Sequence, residues 1–429
     1  MAVLPPQPSR EGVLIFKRKA FKCTALRPVK GEVFVDKLSH KFIIPEDYLV
    51  HSSKDQDALM SRRISSRRGW LLIVPCNTGE ELGTKVANFY MSMLQDRNSA
   101  HKVIPVAKGG YDKHSRITNY WDDGELQSRL GTSVGGSDAY VIANPHNLNQ
   151  GMDVHSGIWE LFVMGRALKA QGARHITAVV PYLPYSRGDK PTFMKREPTT
   201  AKLFADVLKV AGYDGLICFE PHSDSLRGLF EPEVRYVALS GLDLAVSLFW
   251  KYKSKPGVIT LATDLGSAKL NKYLAEGLDI GFAVTDKLRR ADGEIESQGV
   301  LGSFEGVDTI LGFEDETVSG STLKNWAEFG KAHGVKNAEI LIPALKTPER
   351  FISTLEGIDQ LMDNFTLHFS DSTPQTEAVR KLPFGREYSL AERLAWAINH
   401  FFYEVSVSSL FWPSVDRPIF EDKPVPKPS

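Results

Sequence analysis

The chain has 429 residues, long enough for more than one folded half and a sizeable core. Its 52 basic and 52 acidic residues give a formal net charge of +0, so nothing global favours a nucleic-acid or membrane-surface partner, although a local phosphate pocket needs only a few cations. Cys23, Cys76 and Cys218 are too few and scattered for a disulfide framework or a Cys-based metal site and read as small apolar fillers; with no membrane-length apolar run and a Pro-rich Met1–Arg10 lacking a signal-peptide core, a reducing cytoplasmic setting is expected.

Residues 1–69 differ from the rest. Gly12–Ile44 alternates charged and β-branched residues, which predicts short strands and a small β-rich N-terminal extension. Arg62, Arg63, Arg67 and Arg68 form a dense basic cluster, read as a solvated loop in preference to a phosphate site. From Trp70 onward strand and helix signals alternate. Predicted strands are Trp70–Pro75, Asp138–Ala143, Ile176–Tyr182, Leu216–Phe219, Val258–Ala262, Gly281–Thr285, Val307–Gly312, Glu339–Pro343 and Thr366–Phe369. Predicted helices are Glu80–Leu94, Ile158–Ala170, Thr200–Val210, Ala268–Ala275, Leu323–Phe329 and Leu390–Phe402. Continuous apolar strands between amphipathic helices imply an α/β fold with mainly parallel sheets covered on both faces. The series is too long for one ordinary sheet, so two similar halves dividing near residues 235–256 are expected: 70–245 and 246–412, followed by an irregular Pro-rich tail, 413–429.

In such folds ligands sit past the C-terminal ends of strands. Several polar clusters fall there. Trp121-Asp122-Asp123-Gly124-Glu125 puts an aromatic beside acids in a turn, suited to stacking a base, but a weak signal alone. Arg187 follows prolines that stop a strand, and its guanidinium can clamp a polyphosphate; a surface Arg is the bland alternative. His222 lies at a strand terminus between Glu220 and Asp224, which favours function over a structural His. Asp264 precedes a small-residue turn into a helix, as a sugar or metal contact or as a plain N-cap. Lys287, Arg289 and Arg290 form a cationic loop with Gly293 as hinge, able to close over a transferring phosphoryl group or simply to be solvated.

The most informative stretch is Phe313–Leu323. Glu314 and Asp315 end an apolar strand, where acids suit ribose hydroxyls or a metal. Ser319, Gly320, Ser321 and Thr322 then open a helix, where backbone N–H groups suit a phosphate. Together they describe a site for a phosphorylated sugar.

From about Trp70 to Trp412 these segments resemble, in order, the phosphoribosyl pyrophosphate synthetase (ribose-phosphate diphosphokinase) family. The most specific stretch is His175–Arg187 followed by Arg196-Glu197-Pro198-Thr199-Thr200-Ala201-Lys202, similar to the family's Tyr-Ala-Arg nucleotide loop and its Pro-(Ile/Thr)-Thr-Ala-Lys helix start. His222-Ser223 through Phe230 is similar to its Asp-Leu-His signature, and Trp121–Glu125 to its Phe-Ser-Asp-Gly-Glu turn. The resemblance implies two phosphoribosyltransferase-like domains in a homo-oligomer, dimer or hexamer. It implies transfer of the β,γ-diphosphate of ATP to the anomeric hydroxyl of ribose 5-phosphate, with Mg²⁺ and release of AMP. Carried over by position, Trp121, Asp123, Glu125 and Arg187 hold ATP, and the turn serves a neighbouring subunit's adenine. His222 and Asp264 hold Mg²⁺ and the reacting centre; Glu314 and Asp315 hold the ribose hydroxyls, with Ser319–Thr322 around the 5-phosphate. Lys287 and Arg289 match the mobile catalytic loop. Positioning and charge neutralisation then carry the catalysis, with no nucleophilic side chain and no stable metal site expected without substrate.

The chain departs from the family pattern at the third acid, which is Val318, at a loop Gly, which is Ser321, after the loop Arg, where Gln is Gly188, and in Asp-Leu-His, whose Asp is Glu220. Residues 1–69 have no family counterpart. These changes surround both substrate sites and suit an acceptor with an esterified 5-phosphate, such as ADP-ribose, as an alternative to free ribose 5-phosphate. A non-catalytic nucleotide-binding homologue is a further reading, opposed by the retention of Lys287, Arg289, His222 and Asp264.

Overall fold

The computed structural model describes residues 42–45, 64–99, 101, 106–107, 117–147, 153–289 and 295–407, with the side chains of 286–289 and 295–299 left aside. The expected short strands in 12–41, Cys23, the pair Arg62-Arg63 and the tail 413–429 lie outside these residues.

The first half is built from β1 (Ser65–Ser66), β2 (Gly69–Pro75), α1 (Glu80–Asp96), the hairpin β3 (Thr118–Tyr120) and β4 (Leu126–Ser128), β5 (Ser137–Ile142), α2 (Val154–Ala170), β6 (His175–Val179), α3 (Thr200–Ala211), β7 (Gly215–Phe219) and β8 (Arg235–Leu239). Its sheet has the order β1-β2-β5-β6-β7-β8, parallel except for the antiparallel β1/β2 pair. The second half contains α4 (Leu242–Phe249), β9 (Val258–Ala262), α5 (Ala268–Leu278), β10 (Gly281–Arg289), β11 (Ile295–Leu301), β12 (Thr309–Phe313), β13 (Glu316–Thr317), α6 (Ser321–Ala332), β14 (Asn337–Ile342), β15 (Ala344–Leu345), α7 (Ile352–Asp359), β16 (Asn364–Ser370), β17 (Gly385–Tyr388) and α8 (Ala391–Phe402). Its sheet has the order β11-β10-β9-β12-β14-β16-β17, parallel except for β10/β11. The α/β class with mainly parallel sheets is therefore as the sequence led us to expect.

The pleat explains how apolar runs cover two faces. Along β2, Leu71 and Ile73 enter one core cluster, while Trp70, Leu72 and Val74 enter another. The first cluster is shared by both halves, since Val258, Leu311 and Leu341 of the second sheet join Val179, Ile217 and Val237 of the first. The outer faces have their own clusters, one per half. Cys76 and Cys218 are buried among apolar neighbours, as their filler reading required.

Three local outcomes differ from expectation. Arg235–Leu239, in the region read as a divide, is the edge strand of the first sheet. Residues 286–289 of the cationic stretch are no loop: their backbone continues β10, with Lys287 opposite Gln298 and Arg289 opposite Ile295 on β11. Arg68 is not solvated. It donates from Nε to the fully buried Asp138 at 2.8 Å, and Tyr140 donates to the same oxygen at 2.9 Å. Its guanidinium also lies 5.0 Å from the Phe401 ring, which Arg235 approaches at 4.0 Å. A buried carboxylate recruits a cation that local sequence assigns to solvent.

Phe401 belongs to α8, which comes last in the described chain yet packs on the first half. Buried Asn399 accepts from Ile43 N at 2.9 Å, and its amide donates to Ile43 O and the Tyr90 hydroxyl at 2.7 Å. Phe42 packs edge-on against Tyr90 and Trp396, at 4.6 and 5.2 Å. Among the described residues no helix is long and apolar enough to cross a membrane.

Replacing Arg68 by Met leaves Asp138 buried without its counter-charge. The expected loss is about 3 kcal/mol, checked by urea unfolding beside wild type. A loss below about 0.5 kcal/mol contradicts the buried pairing.

Candidate active site

Four strands from both sheets end at one cleft of about 440 Å³. The first half contributes Arg187 past β6 and His222 past β7. The second contributes Asp264 past β9, and Glu314, Asp315, Ser319 and Thr322 past β12. These residues are thus brought together, although up to 135 positions of chain separate Arg187 from Thr322. Gly320 and Ser321 complete the same turn. The Trp121 turn, by contrast, does not line this cleft.

The first-half loops reverse sharply. Tyr185 and Glu220, each two residues ahead of a site residue, adopt positive φ angles of 60° and 40°. Such conformations persist only where surroundings impose them. Gly188 N donates to Tyr185 O at 2.8 Å, and the Tyr185 hydroxyl meets His155 Nδ1 at 2.9 Å. Glu220 N donates to Leu239 O at 2.7 Å, while its carboxylate accepts from Gly241 N and from Ser240 Oγ. Burial pushes the Glu220 carboxyl up to about 7 against those bonds. Glu220 is thereby occupied by the 240–241 turn, and Asp224 pairs with Lys269 at 2.8 Å, so neither flanks His222 as its sequence neighbours suggested. The acid that does reach His222 comes from the other half: Asp315 Oδ2 lies 2.6 Å from His222 Nδ1. That hydrogen bond holds the imidazole pKa above its ordinary value, against partial burial.

Gly188 stands where the family pattern carries Gln. A Cβ there would meet Thr200 Oγ1 at 1.9 Å, so the packing of α3 against the loop admits only glycine unless Thr200 moves.

The second-half acids are held by buried polar groups. Asn271 of α5, fully buried, donates to Phe313 O at 2.8 Å and accepts from Phe313 N at 2.9 Å, locking the end of β12 immediately before Glu314. The Thr263 hydroxyl donates to Glu314, and Thr285 donates to Thr263 O at 2.8 Å. Burial, with Asp264 and Asp315 near, pushes the Glu314 carboxyl up to about 7 despite the Ser267 and Thr263 hydroxyls. At neutral pH Glu314 is therefore part protonated and can donate to or accept from a sugar hydroxyl. Asp264 lines the cleft, and its Oδ1 accepts from Gly266 N at 2.8 Å and Ser267 N at 3.1 Å, which fixes the turn ahead of α5; the N-cap of that helix is Ser267, not Asp264.

Gly320, at φ 72°, is the N-cap of α6 and turns the chain so that the helix starts at Ser321. The Ser319 and Ser321 hydroxyls lie 3.0 Å apart. Free N–H groups at a helix start, hydroxyls and the positive end of the helix dipole suit a phosphate. Val318 faces the cleft with Leu270, Leu323 and Ile342, giving an apolar wall beside this turn.

Two residues missed in the sequence stand out. Glu316, with its side chain 3% exposed, pairs with Arg187 of the first half and with Lys346 Nζ at 2.7 Å. Lys346 also donates to the Tyr182 hydroxyl at 2.7 Å, tying the first-half loop a second time. The signal for Glu316 was a third consecutive acid; for Lys346 it was a cation past a strand end. Glu160 was also missed. Its carboxylate accepts from Asn77 N, Thr78 N and Thr78 Oγ1 at 2.8, 3.1 and 2.9 Å, and Asn77 donates to Thr118 O at 2.7 Å, tethering the β3–β4 hairpin. That hairpin presents Trp121, 58% exposed; Trp121 N donates to Glu125 O at 2.7 Å, and Asp123 caps the turn by accepting from Glu125 N at 3.0 Å.

Among the described residues no cluster of three or more His, Cys, Asp or Glu side chains is placed to hold a metal. His222 and Asp264 both line the cleft, which fits Mg²⁺ carried mostly by phosphate oxygens and water with one or two protein groups. The imidazole can serve only when its Nε2 is unprotonated.

Replacing Asp315 by Ala removes the hydrogen bond that raises the His222 pKa. The His222 titration, followed by NMR, is expected to move down towards about 6.5. Because the folded pKa is raised, the stability due to this pair is full below the unfolded value and is lost as pH rises through the folded one. An unchanged titration in the variant refutes the coupling.

A model of the N-terminal domain of ribose phosphate pyrophosphokinase matches residues 71–212. The ribose-phosphate pyrophosphokinase of Buchnera aphidicola subsp. Schizaphis graminum is 31% identical over 299 residues, covering 68% of this chain and 89% of that protein. That of Mesorhizobium japonicum is 29% identical over 289 residues, covering 67% and 89%. The crystal structure of phosphoribosylpyrophosphate synthetase from Mycobacterium smegmatis superposes with a TM-score of 0.63 at 22% identity, covering 78% of this chain and 99% of that one, which establishes the shared fold. With one relative above 30% identity aligned over most of its length, the chain belongs to the ribose-phosphate pyrophosphokinase family.

Proposed function

We propose that this protein transfers the β,γ-diphosphate of ATP to the anomeric hydroxyl of ribose 5-phosphate, giving phosphoribosyl pyrophosphate and AMP. The observation that carries the reading is the single cleft in which Arg187 and His222 of one half face Glu314, Asp315 and the Ser319–Thr322 turn of the other. A two-substrate reaction needs such a meeting point between a polyphosphate clamp and a sugar-phosphate site.

The turn at the start of α6 takes the 5-phosphate, and Glu314 and Asp315 orient the ribose hydroxyls. Arg187 takes ATP phosphates. The anomeric oxygen attacks Pβ and gives up its proton to water, the bond from Pβ to the Pα–Pβ bridging oxygen breaks, and AMP leaves with that oxygen and its electron pair. Asp315 orients His222 through its Nδ1, so that the imidazole meets Mg²⁺ or phosphate through Nε2. Mg²⁺, which His222 and Asp264 would hold together with ATP, supplies charge neutralisation on the phosphate oxygens. Lys287 and Arg289 lie on the β10 arm and add positive charge as the diphosphate moves. The exposed Trp121–Glu125 turn is the base-contacting turn for a neighbouring subunit, in a homo-oligomer, dimer or hexamer.

The same transfer to a larger ribose 5-phosphate ester, such as ADP-ribose, is favoured by the apolar wall that Val318 builds where the family pattern has an acid.

Incubation with ATP and Mg²⁺ is expected to release AMP with ribose 5-phosphate, and EDTA to abolish release. Faster release with ADP-ribose selects the second reading; none with either acceptor refutes both. Lys287→Ala is expected to lower kcat by roughly 10²-fold or more, and an unchanged rate removes Lys287 from the machinery.

A further inference from the structure

Glu316 belongs to neither substrate's expected contacts, yet it is the most enclosed acid on the cleft wall. Its strand β13 runs parallel to β15, with Glu316 opposite Ala344, and Lys346 N donates to Thr317 O at 2.8 Å. That register places Lys346 beside Glu316 by backbone alone. One carboxylate oxygen then pairs with Lys346 Nζ at 2.7 Å, and the other with Arg187 Nε. The side chains of Glu316 and Lys346 are 3% and 6% exposed, whereas Arg187 is 57% exposed.

Building on the diphosphate-transfer reading, we propose that Glu316 is the positioning residue for the ATP clamp. It holds Arg187 across the cleft, and Lys346 cancels its charge. An acid beside polyphosphate is repulsive on its own. With Lys346 at its second oxygen the trio carries a net single positive charge, and that charge resides on the exposed member, Arg187. The ion pair falls at Nε, without a hydrogen bond to Glu316 Oε1, and the four N–H donors on Nη1 and Nη2 are left to phosphate oxygens. A long, rotamer-rich side chain held in advance loses less freedom when ATP arrives. The Tyr182 hydroxyl, bonded to Lys346 Nζ, holds the start of the same loop and keeps the trio in register with it.

The test is MgATP binding by isothermal titration calorimetry, beside steady-state KM values for both substrates. The proteins are wild type, Glu316→Gln, Glu316→Asp, Arg187→Gln and the Glu316→Gln/Arg187→Gln double variant, each with its melting temperature. Glu316→Gln is expected to weaken ATP by about tenfold, within the coupling range of residues in contact, without a matching change in the KM for ribose 5-phosphate. Glu316→Asp should recover part of the loss. In the Arg187→Gln background the Glu316 change should add nothing, because it acts through Arg187. Lys346→Met is a second route: it leaves the Glu316 charge uncancelled and should also weaken ATP. The proposal is overturned if Glu316→Gln lowers the melting temperature but leaves ATP affinity intact, if the two losses add, or if ATP binds more tightly. The calorimetric arm does not need turnover. Wild-type protein that binds ATP but releases no AMP defeats the transfer reading and still tests Glu316; wild-type protein that does not bind ATP overturns the role of Glu316.

Discussion

The pairing of Glu316 with Arg187 and Lys346 is the contact on which the cleft depends. Two parallel-sheet halves place their strand ends at a common opening, but strand ends alone leave a gap between loops. Glu316 closes that gap with one buried carboxylate joined to a cation from each half. A buried ion pair is weak evidence for stability, because desolvation opposes the Coulombic gain. Its value here is geometric. β13 is fixed by its parallel pairing with β15, and Glu316 passes that order to the Arg187 loop.

The same logic recurs around the cleft. His222 takes its acid from Asp315 across the halves. Glu314 is fixed through Asn271, which grips the last residue of β12 at both its N–H and its C=O. His222, Glu314 and Arg187 are thus each met by a group from another element, whereas Asp264 is held by its own turn. Buried polar networks of this kind specify one arrangement, because a half-satisfied one costs more than an apolar core. The shared apolar cluster beneath, fed by alternate residues of both sheets and by α8, supplies the cohesion that keeps the two halves in place while these polar groups set the details.

Departures from the family pattern have separate physical meanings. Gly188 follows from packing, since Thr200 Oγ1 fills the space a side chain would need. Glu220 reaches back to Gly241 and is committed to the turn before α4. Val318 is different: it faces the cleft and changes what the wall offers a ligand. The first two adjust the scaffold, and the third alters the lining of the cleft.

Much of this protein was legible in the residues themselves. Hydrophobic runs bounded by turn residues marked β2, β5, β7, β9 and β14, because a strand buried on both faces must be apolar throughout. The Gly320 turn and the acids before it were legible as polar groups at a helix start and a strand end, and Glu314, Asp315, Ser319 and Thr322 do line one cleft. The edge strand β8 and the hairpin β10–β11 were obscured, since their short or polar segments carry little periodic signal. Arg68 could not be placed from its neighbours in sequence, because what decides it is Asp138, seventy positions away and fully buried. The partners of His222, Arg187 and Glu316 were equally hidden: each interaction joins residues from different strand ends, and only the packing of one sheet against the other determines which ends meet. Element types and the chemical groups at their ends follow from local residue patterns; the pairings follow from packing, because ion pairs and hydrogen bonds depend on distances in space that chain separation does not encode.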